Sequence, residues 1–415
     1  MIAEIITIGD EILIGQVVDT NSAWMGRKLN DAGVRVNRIT SISDDSREIL
    51  DALRDAAARA DIILITGGLG PTRDDVTKKT LAEYFGAGMR RDAETLEQVK
   101  RIFARYDAPL LDVNIAQADV PDNCTVLVNR NGTAPGMWFE ADGRIYVSMP
   151  GVPFEMQYLM EEEVIPRITE RFRLPALVHR TILTAGLGES FLASRIEAVE
   201  DALPGHIRLA YLPKLGQVRL RLSATGADRG SLSREVDEWA ERIIAIIREY
   251  VIAGDDIPFE EVILDFMKQR NLTLTLAESC TGGYLSHLFT QVPGASAVYL
   301  GGTVSYANEL KQQILGVSEE TLRVHGAVSE QTAIEMAQGA LKNLGSDYAI
   351  SVTGIAGPGG GTPDKPVGTV WMAAASVSKT VTRLYQFGNR RAQNIERSAT
   401  SAMLLLLNLL KEEHG

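Results

Sequence analysis

Residues 272–283, LTLTLAESCTGG, join an apolar, strand-like run to a short turn that ends in two glycines, and a helix-like run over residues 284–289 follows. A turn between a strand and a helix lies at the carboxyl edge of a sheet, where the helix N-terminus offers free backbone N–H groups. Ser279 and Cys280 are therefore candidate nucleophiles, beside N–H groups suited to an oxyanion or to a phosphate. An ordinary capped turn is the alternative interpretation.

Strands and helices keep alternating around this turn, through residues 256–415. Predicted strands over 297–305 and 348–352 end at Tyr306 and at Thr353-Gly354, which places these residues with Ser279 along one edge of a parallel sheet. Asn308 is the expected cap of a helix that carries Lys311 in its first turn. A lysine there opposes the helix dipole, and the positive surroundings favour its neutral, basic form.

These residue types fit the hydrolysis of an amide. Ser279 would attack the carbonyl carbon, and either Lys311 or Tyr306 would take its proton as general base. Cys280 is the competing nucleophile, although a small cysteine behind a turn is more often buried packing. The five histidines of the chain lie apart from these motifs, which disfavours a Ser-His-Asp triad. Arg390, with its neighbour Arg391, is a candidate for a phosphate contact, and surface charge is the alternative.

Residues 1–168 show the same alternation, with predicted strands over 3–8, 34–41 and 61–66. Glycines let backbone N–H groups approach a phosphate, while carboxylates are hard oxygen ligands for a divalent cation. The residues expected to bind a nucleotide are Gly9, Gly67, Gly68, Gly70, Thr72, Gly132 and Thr133. The residues expected to bind the metal are Asp10, Glu11, Asp44, Asp74 and Asp75. Helix capping is the alternative explanation for the acids, above all for Asp45 and Asp75.

The predicted fold class is α/β: two three-layer domains with parallel sheets, residues 1–168 and 256–415, joined by a small α+β module over 169–255. That module is predicted as β-α-β-β-α. Arg219 and Arg221 share one face of a predicted strand, which we interpret as a solvated face, because the helices here are acidic and no Gly-x-x-Gly clamp joins them.

Composition excludes several classes of protein. A net charge of −12 over 415 residues makes a nucleic-acid partner unlikely, and no apolar run reaches the length of a membrane span. The two cysteines, Cys124 and Cys280, form neither a disulfide framework nor a zinc motif. The first residues lack the basic start of a secretory signal. We therefore expect a cytoplasmic protein without membrane association.

These motifs, in this order, resemble those of the CinA family of competence/damage-inducible proteins. The glycine-rich and acidic segments of residues 9–11, 66–75 and 132–136 resemble the family's molybdopterin-binding-like domain, and residues 278–283, 306–311 and 353–361 resemble its nicotinamide mononucleotide deamidase domain. The resemblance implies substrate-binding roles in the deamidase for Glu278, Cys280, Thr281, Gly282, Asn308, Thr353, Gly354 and Arg390.

The resemblance also implies activities. The C-terminal domain would convert nicotinamide mononucleotide to nicotinic acid mononucleotide and ammonia without a cofactor. The N-terminal domain would hydrolyse ADP-ribose to AMP and ribose 5-phosphate with a divalent metal, and the protein would form a homodimer. Two alternatives stay open: a nucleotide-binding scaffold in DNA uptake or repair with an inactive N-terminal site, and molybdenum-cofactor assembly.

Overall fold

The computed structural model describes residues 1–70, 72, 75–105, 109–172 and 174–415. The chain forms two compact units, Met1–Val178 with Thr225–Leu232, and His179–Ala224 with Ser233–Gly415. Among the described residues, no helix combines the length and the apolar character needed to cross a bilayer.

The first unit contains eight strands and eight helices in its described part. The strands are β1 (Ile2–Ile8), β2 (Arg35–Ile42), β3 (Ile62–Thr66), β4 (Met89–Arg91), β5 (Asp119–Pro121), β6 (Thr125–Leu127), β7 (Gly136–Ala141) and β8 (Arg144–Met149). The helices are α1 (Asp10–Leu13), α2 (Thr20–Asp31), α3 (Ser46–Ala57), α4 (Thr77–Tyr84), α5 (Ala93–Arg105), α6 (Asp112–Ile115), α7 (Pro153–Leu159) and α8 (Ile165–Arg171).

Its main sheet has the order β2-β1-β3-β8-β7-β6. The first four strands are parallel, as predicted, whereas β7 is antiparallel to β8 and β6 is antiparallel to β7, so the sheet is mostly parallel with an antiparallel edge. The reason is a tight hairpin at Asp142-Gly143, where both residues adopt positive φ. Asp-Gly is a strong hairpin signal, and it was readable in the sequence.

Strand β3 explains why this domain has three layers. All five of its residues are buried, and successive side chains of a strand point to opposite faces. Ile62 and Leu64 pack into one hydrophobic core, and Ile63 and Ile65 into a second core on the other face. The sheet is therefore covered by helices on both sides, as a buried parallel strand requires.

The middle module consists of β9 (Ala176–Ala185), α9 (Glu189–Asp201), β10 (Ile207–Lys214), β11 (Gln217–Gly226), α10 (Arg229–Ile247) and a short β12 (Val251–Ala253). Its sheet order is β10-β11-β9-β12. Strand β12, which pairs antiparallel with β9, is an addition to the predicted β-α-β-β-α order.

The C-terminal part carries the sheet β14-β13-β15-β16-β17. Its strands are β13 (Leu274–Glu278), β14 (Tyr299–Val304), β15 (Tyr348–Gly354), β16 (Thr369–Ser376) and β17 (Thr380–Gln386). Its helices are α11 (Phe259–Lys268), α12 (Tyr284–Thr290), α13 (Asn308–Leu315), α14 (Glu319–His325), α15 (Glu330–Leu344) and α16 (Arg391–His414).

This second sheet is also mixed rather than parallel. Strand β13 runs parallel to β14 and β15, whereas β16 and β17 are antiparallel additions. Leu274 and Leu276 of β13 pack into the large core of this part of the chain, and Ala277 packs into a separate core with Leu315 and Met336. The parallel strands at the centre bring the end of β13 beside the start of α13, as the sequence predicted.

Helix α15 holds α13 at close range through Gly339. A Cβ atom at Gly339 would lie 1.8 Å from the carbonyl oxygen of Leu315, which ends α13. Gly339→Ala should therefore lower the free energy of unfolding by about 1–3 kcal/mol through overpacking. Thermal and urea unfolding of the whole chain measure the change.

Gly26→Ala is the matched control, because Gly26 lies within α2 and a Cβ there meets nothing within 4 Å. In that open helical position alanine should stabilise by about 0.5–1 kcal/mol. Equal stabilisation by both substitutions would contradict the proposed contact between α13 and α15.

Candidate active site and nucleotide-binding cavity

The turn after β13 is fixed by the carboxylate of Glu278. This buried carboxylate accepts the backbone N–H groups of Gly283, Leu285 and Ser286 at 3.1, 3.0 and 2.8 Å, and also the hydroxyl of Ser286 at 2.5 Å. Its oxygens are thereby occupied at the start of α12. Glu278 holds the turn, which corrects the expectation that it contacts the substrate.

Two glycines complete the turn. Gly282 and Gly283 have φ of +63° and +94°, a region that other residues rarely adopt. The N–H of Ser279 donates to the carbonyl of Val352 on β15 at 2.9 Å, so the backbone of the serine is tied to the central strands. Thr281 is buried, and among the described residues neither its N–H nor its hydroxyl has a hydrogen-bond partner. The turn therefore presents free donors beside Ser279.

Lys311 reaches Ser279 from α13. Its Nζ lies 3.2 Å from Ser279 Oγ, 2.8 Å from the carbonyl oxygen of Ser305 and 3.2 Å from that of Tyr306. The lysine is only 1% exposed, and no described carboxylate forms an ion pair with it. Burial, which disfavours the charged amine, lowers the pKa of Lys311 below its usual value.

Three oxygens surround the amine of Lys311, and they suit both of its protonation states. As an ammonium group it donates one hydrogen bond to each oxygen. As a neutral amine it donates to the two carbonyl oxygens and has its lone pair available for the proton of the Ser279 hydroxyl. Burial favours this second form, in which Lys311 can accept a proton from the serine.

Cys280 lies beside Ser279 but faces the interior. The side chain is 5% exposed and belongs to the large hydrophobic core. Burial raises the pKa of the thiol to about 12, so the nucleophilic thiolate is disfavoured at neutral pH. The structure places Cys280 in packing rather than at the substrate, which is a correction to its expected binding role.

Tyr306 and Arg391 form the outer part of the site. Tyr306 is 59% exposed, and its hydroxyl accepts a hydrogen bond from Nη2 of Arg391 at 3.1 Å. Nη1 of Arg391 donates to the carbonyl of Gly357 at 2.9 Å. Arg390 instead occupies the N-cap of α16 and is exposed. Of the two arginines, the structure brings Arg391 to the predicted site, although the sequence favoured Arg390.

The remaining predicted substrate residues lie at the strand ends. Asn308 is exposed as the first residue of α13, and Ala307 is the cap, so the predicted capping role of Asn308 is wrong. Thr353 is buried, and its hydroxyl donates to the carbonyl of Ala327 at 2.7 Å. Gly354 packs so tightly that a Cβ would lie 2.7 Å from Val370. Thr353 thus fixes the sheet edge through its side chain, and Gly354 fixes it through close backbone packing.

The N-terminal unit has a cavity of about 510 Å³ at the carboxyl ends of its parallel strands. The predicted residues that line it are Gly9, Glu11, Asp44, Gly67, Gly68, Gly70, Asp75 and Thr133. Asp10 lies next to it and donates its N–H to the carboxylate of Asp44 at 3.1 Å. Thr72 and Gly132 are not among its lining residues, and Asp74 lies outside the described residues.

Gly67 shows why glycine is required in this wall. Its φ is +112°, and a Cβ would lie 2.1 Å from the carbonyl oxygen of Ile8 at the end of β1. A larger residue would push the loop away from the strand. The loop can therefore follow the strand ends closely and expose its backbone to the cavity.

The carboxylates of this cavity differ in what they contact. Both oxygens of Asp75 accept hydrogen bonds from the loop, from the N–H of Gly70 at 2.8 Å and from the N–H (2.8 Å) and hydroxyl of Thr72. Asp75 therefore closes the loop, and its expected role as a metal ligand stays a prediction. Burial raises the pKa of Asp44, and the nearby negative charges of Asp10 and Glu11 add to this effect.

These residues fit a divalent cation only in part. Over the described residues, no group of three or more His, Cys, Asp or Glu side chains converges as a metal site. Asp44 and Glu11 line the cavity. The neighbouring carboxylates repel the charged form of Asp44, and a bound cation would offset that repulsion. A metal here would depend on oxygen atoms of the ligand to complete its coordination.

The sequence did not predict two residues that lie at or beside this cavity. Glu155 lines it from α7, burial raises its pKa, and Asn129 donates to it at 2.6 Å. Lys78 lines an adjoining cavity, burial lowers its pKa to about 8, and its Nζ donates to the carbonyl of Gln117 at 2.5 Å. Neither residue belongs to a sequence motif, because their positions follow from tertiary packing.

Comparison with known proteins identifies the family. The sequence matches the descriptions "CinA C-terminal domain" over residues 256–410, "Probable molybdopterin binding domain" over 4–170 and "Damage-inducible protein CinA KH domain" over 179–253. A CinA-like protein of Cytophaga hutchinsonii is 45% identical over 410 residues, which cover 99% of this chain and 98% of that relative. The chain belongs to the CinA family.

Other CinA proteins show the same similarity. A CinA-like protein of Flavobacterium psychrophilum is 43% identical, with 98% of each chain covered. A crystal structure of a competence/damage inducible protein (CihA) of Agrobacterium tumefaciens is 39% identical, covers 36% of this chain and 92% of its own, and has a TM-score of 0.36. The family predicted from the motifs is confirmed, as is the α/β fold class.

The buried cysteines of this CinA protein give a direct chemical test. Cys280 and Cys124 have raised thiol pKa values, about 12 and about 11, chiefly through burial. Iodoacetamide at pH 8 should therefore modify neither cysteine in the folded protein over a time that alkylates both in urea. Mass spectrometry of tryptic peptides measures the extent of modification. Rapid labelling of native Cys280 alone would show a reactive thiolate and reverse the choice of nucleophile.

Proposed function

We propose that the C-terminal domain hydrolyses the carboxamide of nicotinamide mononucleotide to nicotinic acid mononucleotide and ammonia. The contact between Ser279 Oγ and Lys311 Nζ, 3.2 Å long and buried, carries this proposal. With the amine in its neutral form, the hydroxyl beside it is an activated nucleophile for attack on an amide carbon. The proposed reaction uses no metal or cofactor.

The proposed reaction has two halves. Ser279 Oγ bonds to the carboxamide carbon while its proton moves to Nζ of Lys311, and the free N–H of Thr281 helps to hold the oxyanion. The C–N bond then breaks, and the Lys311 proton leaves with the amine as ammonia. Water next attacks the acyl ester, Lys311 accepts its proton and returns one to Ser279, and the carboxylate product forms.

The nucleotide part of the substrate is proposed to lie against Arg391. A guanidinium can bind a phosphate through two parallel hydrogen bonds. Arg391 is exposed and is positioned by Tyr306 and by the Gly357 carbonyl. Tyr306 is therefore proposed as a binding and positioning residue, and Lys311, whose amine contacts the serine, as the general base.

Ser279→Ala should lower the rate of ammonia release from nicotinamide mononucleotide by roughly a thousandfold or more, because the attacking oxygen is lost. Lys311→Met should lower kcat by about a hundred- to ten-thousand-fold through loss of the base. A coupled ammonia assay measures both rates, and circular dichroism checks folding. Cys280→Ala is the matched control and should keep most of the activity. An inactive Cys280→Ala beside an active Ser279→Ala would refute the mechanism.

The pH dependence has a defined sign. Lys311 must be uncharged to accept a proton, so kcat/KM should fall as the pH drops below the pKa of Lys311. Burial lowers that pKa, so the acidic limb should lie below the ordinary lysine range. A pH–rate profile measures it. A profile that stays flat throughout the weakly acidic and neutral range, with full activity in Lys311→Met, would remove Lys311 from the reaction.

A second activity is proposed for the N-terminal domain, namely the hydrolysis of ADP-ribose to AMP and ribose 5-phosphate. The glycines Gly67, Gly68 and Gly70 line the same cavity as Asp44 and Glu11, which favours this activity. The backbone of the glycines can approach a diphosphate closely. The two acids repel each other, so a divalent cation between them and the diphosphate would be stabilising. Asp44 and Glu11 would hold the divalent metal, which supplies neutralisation of the diphosphate charge. The nucleotide-binding scaffold and the molybdopterin-binding protein are the alternatives if this site lacks hydrolysis.

Asp44→Asn should reduce ADP-ribose hydrolysis in magnesium or manganese by about a hundredfold and leave ammonia release unchanged. Asp45→Asn is the matched control, because Asp45 instead caps α3 by accepting the N–H groups of Arg47 and Glu48. Release of AMP, measured by chromatography with and without a chelator, reports the effect. Equal activity of both variants would show that Asp44 has no part in hydrolysis. The homodimer stays a prediction of the family resemblance, and the cytoplasmic location stays a prediction from the composition.

A further inference from the structure

A second cavity of about 530 Å³ lies within the compact unit that contains the Ser279 site. Its walls come from four places: the loop before α9, the turn between β10 and β11, strand β17 and helix α16. The residues assigned above to amide hydrolysis are not among its lining residues. Cavities of roughly 300–1,000 Å³ commonly hold small-molecule ligands.

Close backbone packing sets the position of these walls. At Gly216, with φ of +78°, a Cβ would lie 2.9 Å from the side chain of Thr400 on α16. At Gly186, with φ of +87°, it would lie 3.2 Å from Leu404 on the same helix. The Thr400 hydroxyl also donates to the carbonyl of Leu215 at 3.4 Å. Both loops are therefore seated on α16.

Three cations converge on this cavity from three elements. They are Lys214 at the end of β10, Arg383 on β17 and Arg397 on α16. Among the described residues, none of them has an ion pair or a side-chain hydrogen bond. Glu189 is the acid that faces them. In a chain with a net charge of −12, three unpaired cations around one concavity attract an anion to that place.

The same cavity has an aromatic wall. Arg383, Tyr385 and Phe387 alternate along the chain, so their side chains share one face at β17. The rings of Tyr385 and Phe387 are stacked, with centroids 5.3 Å apart and planes 12° from parallel. Both residues are half-buried and line the cavity. A flat ring of a ligand could pack on this apolar edge.

A glutamine completes the wall. Gln217 is 8% exposed and lines the cavity. Its side-chain amide has no hydrogen-bond partner within the part of the chain that the structure describes, and it is not one of the fully buried unpaired polar groups there. The amide can therefore pair with a ligand that presents a polar edge.

We propose that this cavity binds a nucleoside 5′-phosphate, separately from the two proposed catalytic sites. Its phosphate lies among Lys214, Arg383 and Arg397, its base packs against the aromatic wall, and Gln217 pairs with the polar edge of the base. Guanidinium groups suit the phosphate because they donate two parallel hydrogen bonds.

A single nucleotide fits the observations better than a nucleic-acid strand does. Strand-binding surfaces extend their cations along a groove, whereas these cations surround one concavity. Residues 179–253 match a KH domain description, yet they contain no Gly-x-x-Gly segment, the element with which KH domains clamp a nucleic-acid backbone.

Photolabelling of the full-length protein with 8-azido-AMP locates the site. The label should be found by mass spectrometry in peptides of β17, of α16 near Arg397 or of the turn between β10 and β11, and an excess of AMP should prevent it. Labelling confined to the Ser279 turn or to the N-terminal glycine loop would overturn the proposal.

Variants then test the contacts by calorimetric titration with AMP. The double variant Arg383→Gln/Arg397→Gln should bind AMP at this site at least about tenfold more weakly, because hydrogen bonds to charged groups are lost. Lys214→Gln, on the exposed hairpin, should act in the same direction if the double variant does not fold. Arg248→Gln is the matched control, an exposed arginine of the same unit that does not line the cavity.

Three further outcomes decide the class of ligand. Gln217→Met should weaken AMP binding while leaving the binding of inorganic phosphate unchanged. If inorganic phosphate binds as tightly as AMP, the cavity recognises only an anion, and the nucleotide assignment is overturned. A single-stranded RNA decamer that binds at least tenfold more tightly than AMP, and loses this in the double variant, would replace the nucleotide by a nucleic acid. Unchanged AMP binding in all folded variants would also refute the site.

Discussion

The burial of Lys311 is the constraint on which the C-terminal domain depends. Burial disfavours the charged form of the amine, and in the neutral form the two neighbouring carbonyls would leave its lone pair for Ser279. Two other features maintain this contact. Glu278 fixes the turn that carries the serine, and the close approach at Gly339 fixes the helix that carries the lysine. The proposed nucleophile and base therefore depend on packing that lies outside the site itself.

Local patterns of the sequence predicted much of this architecture. The end of β13, the glycine turn and the start of α12 were visible in residues 272–289. Asp45 is the cap of α3. Such features depend on residues three or four positions apart, so a single sequence contains the information.

Other features depend on contacts between distant segments, and the sequence did not reveal them. The choice of Arg391 over Arg390 follows from where α16 begins and from the position of Tyr306, 85 residues earlier. The buried state of Glu155 and Lys78 likewise needs the assembled fold. Glu278 was misinterpreted because its carboxylate caps a helix from the preceding strand, which is not a usual capping position. The antiparallel edges arise from hairpins added beyond the parallel core.

The two proposed reactions use electrostatics in opposite ways. In the C-terminal site, burial disfavours the charged form of the proposed base, whereas the N-terminal cavity brings Asp44 and Glu11 together so that their charges repel. The proposed amide reaction uses side chains of this chain alone, and the proposed diphosphate reaction also uses a divalent metal and oxygen atoms of the ligand. This difference explains why the geometry of the described residues supports the amide reaction more directly.

The interior position of Cys280 affects how sensitive the proposed reaction is to oxidation. Peroxide attacks thiolates, and hydrolases that rely on a cysteine stop when that sulfur becomes a sulfenic or sulfinic acid. Here the thiol next to Ser279 is buried in the core, and its raised pKa keeps it protonated at neutral pH. The proposed nucleophile is an alcohol, which peroxide does not oxidise. The proposed amide hydrolysis would therefore continue under oxidising conditions that inactivate thiol-dependent enzymes.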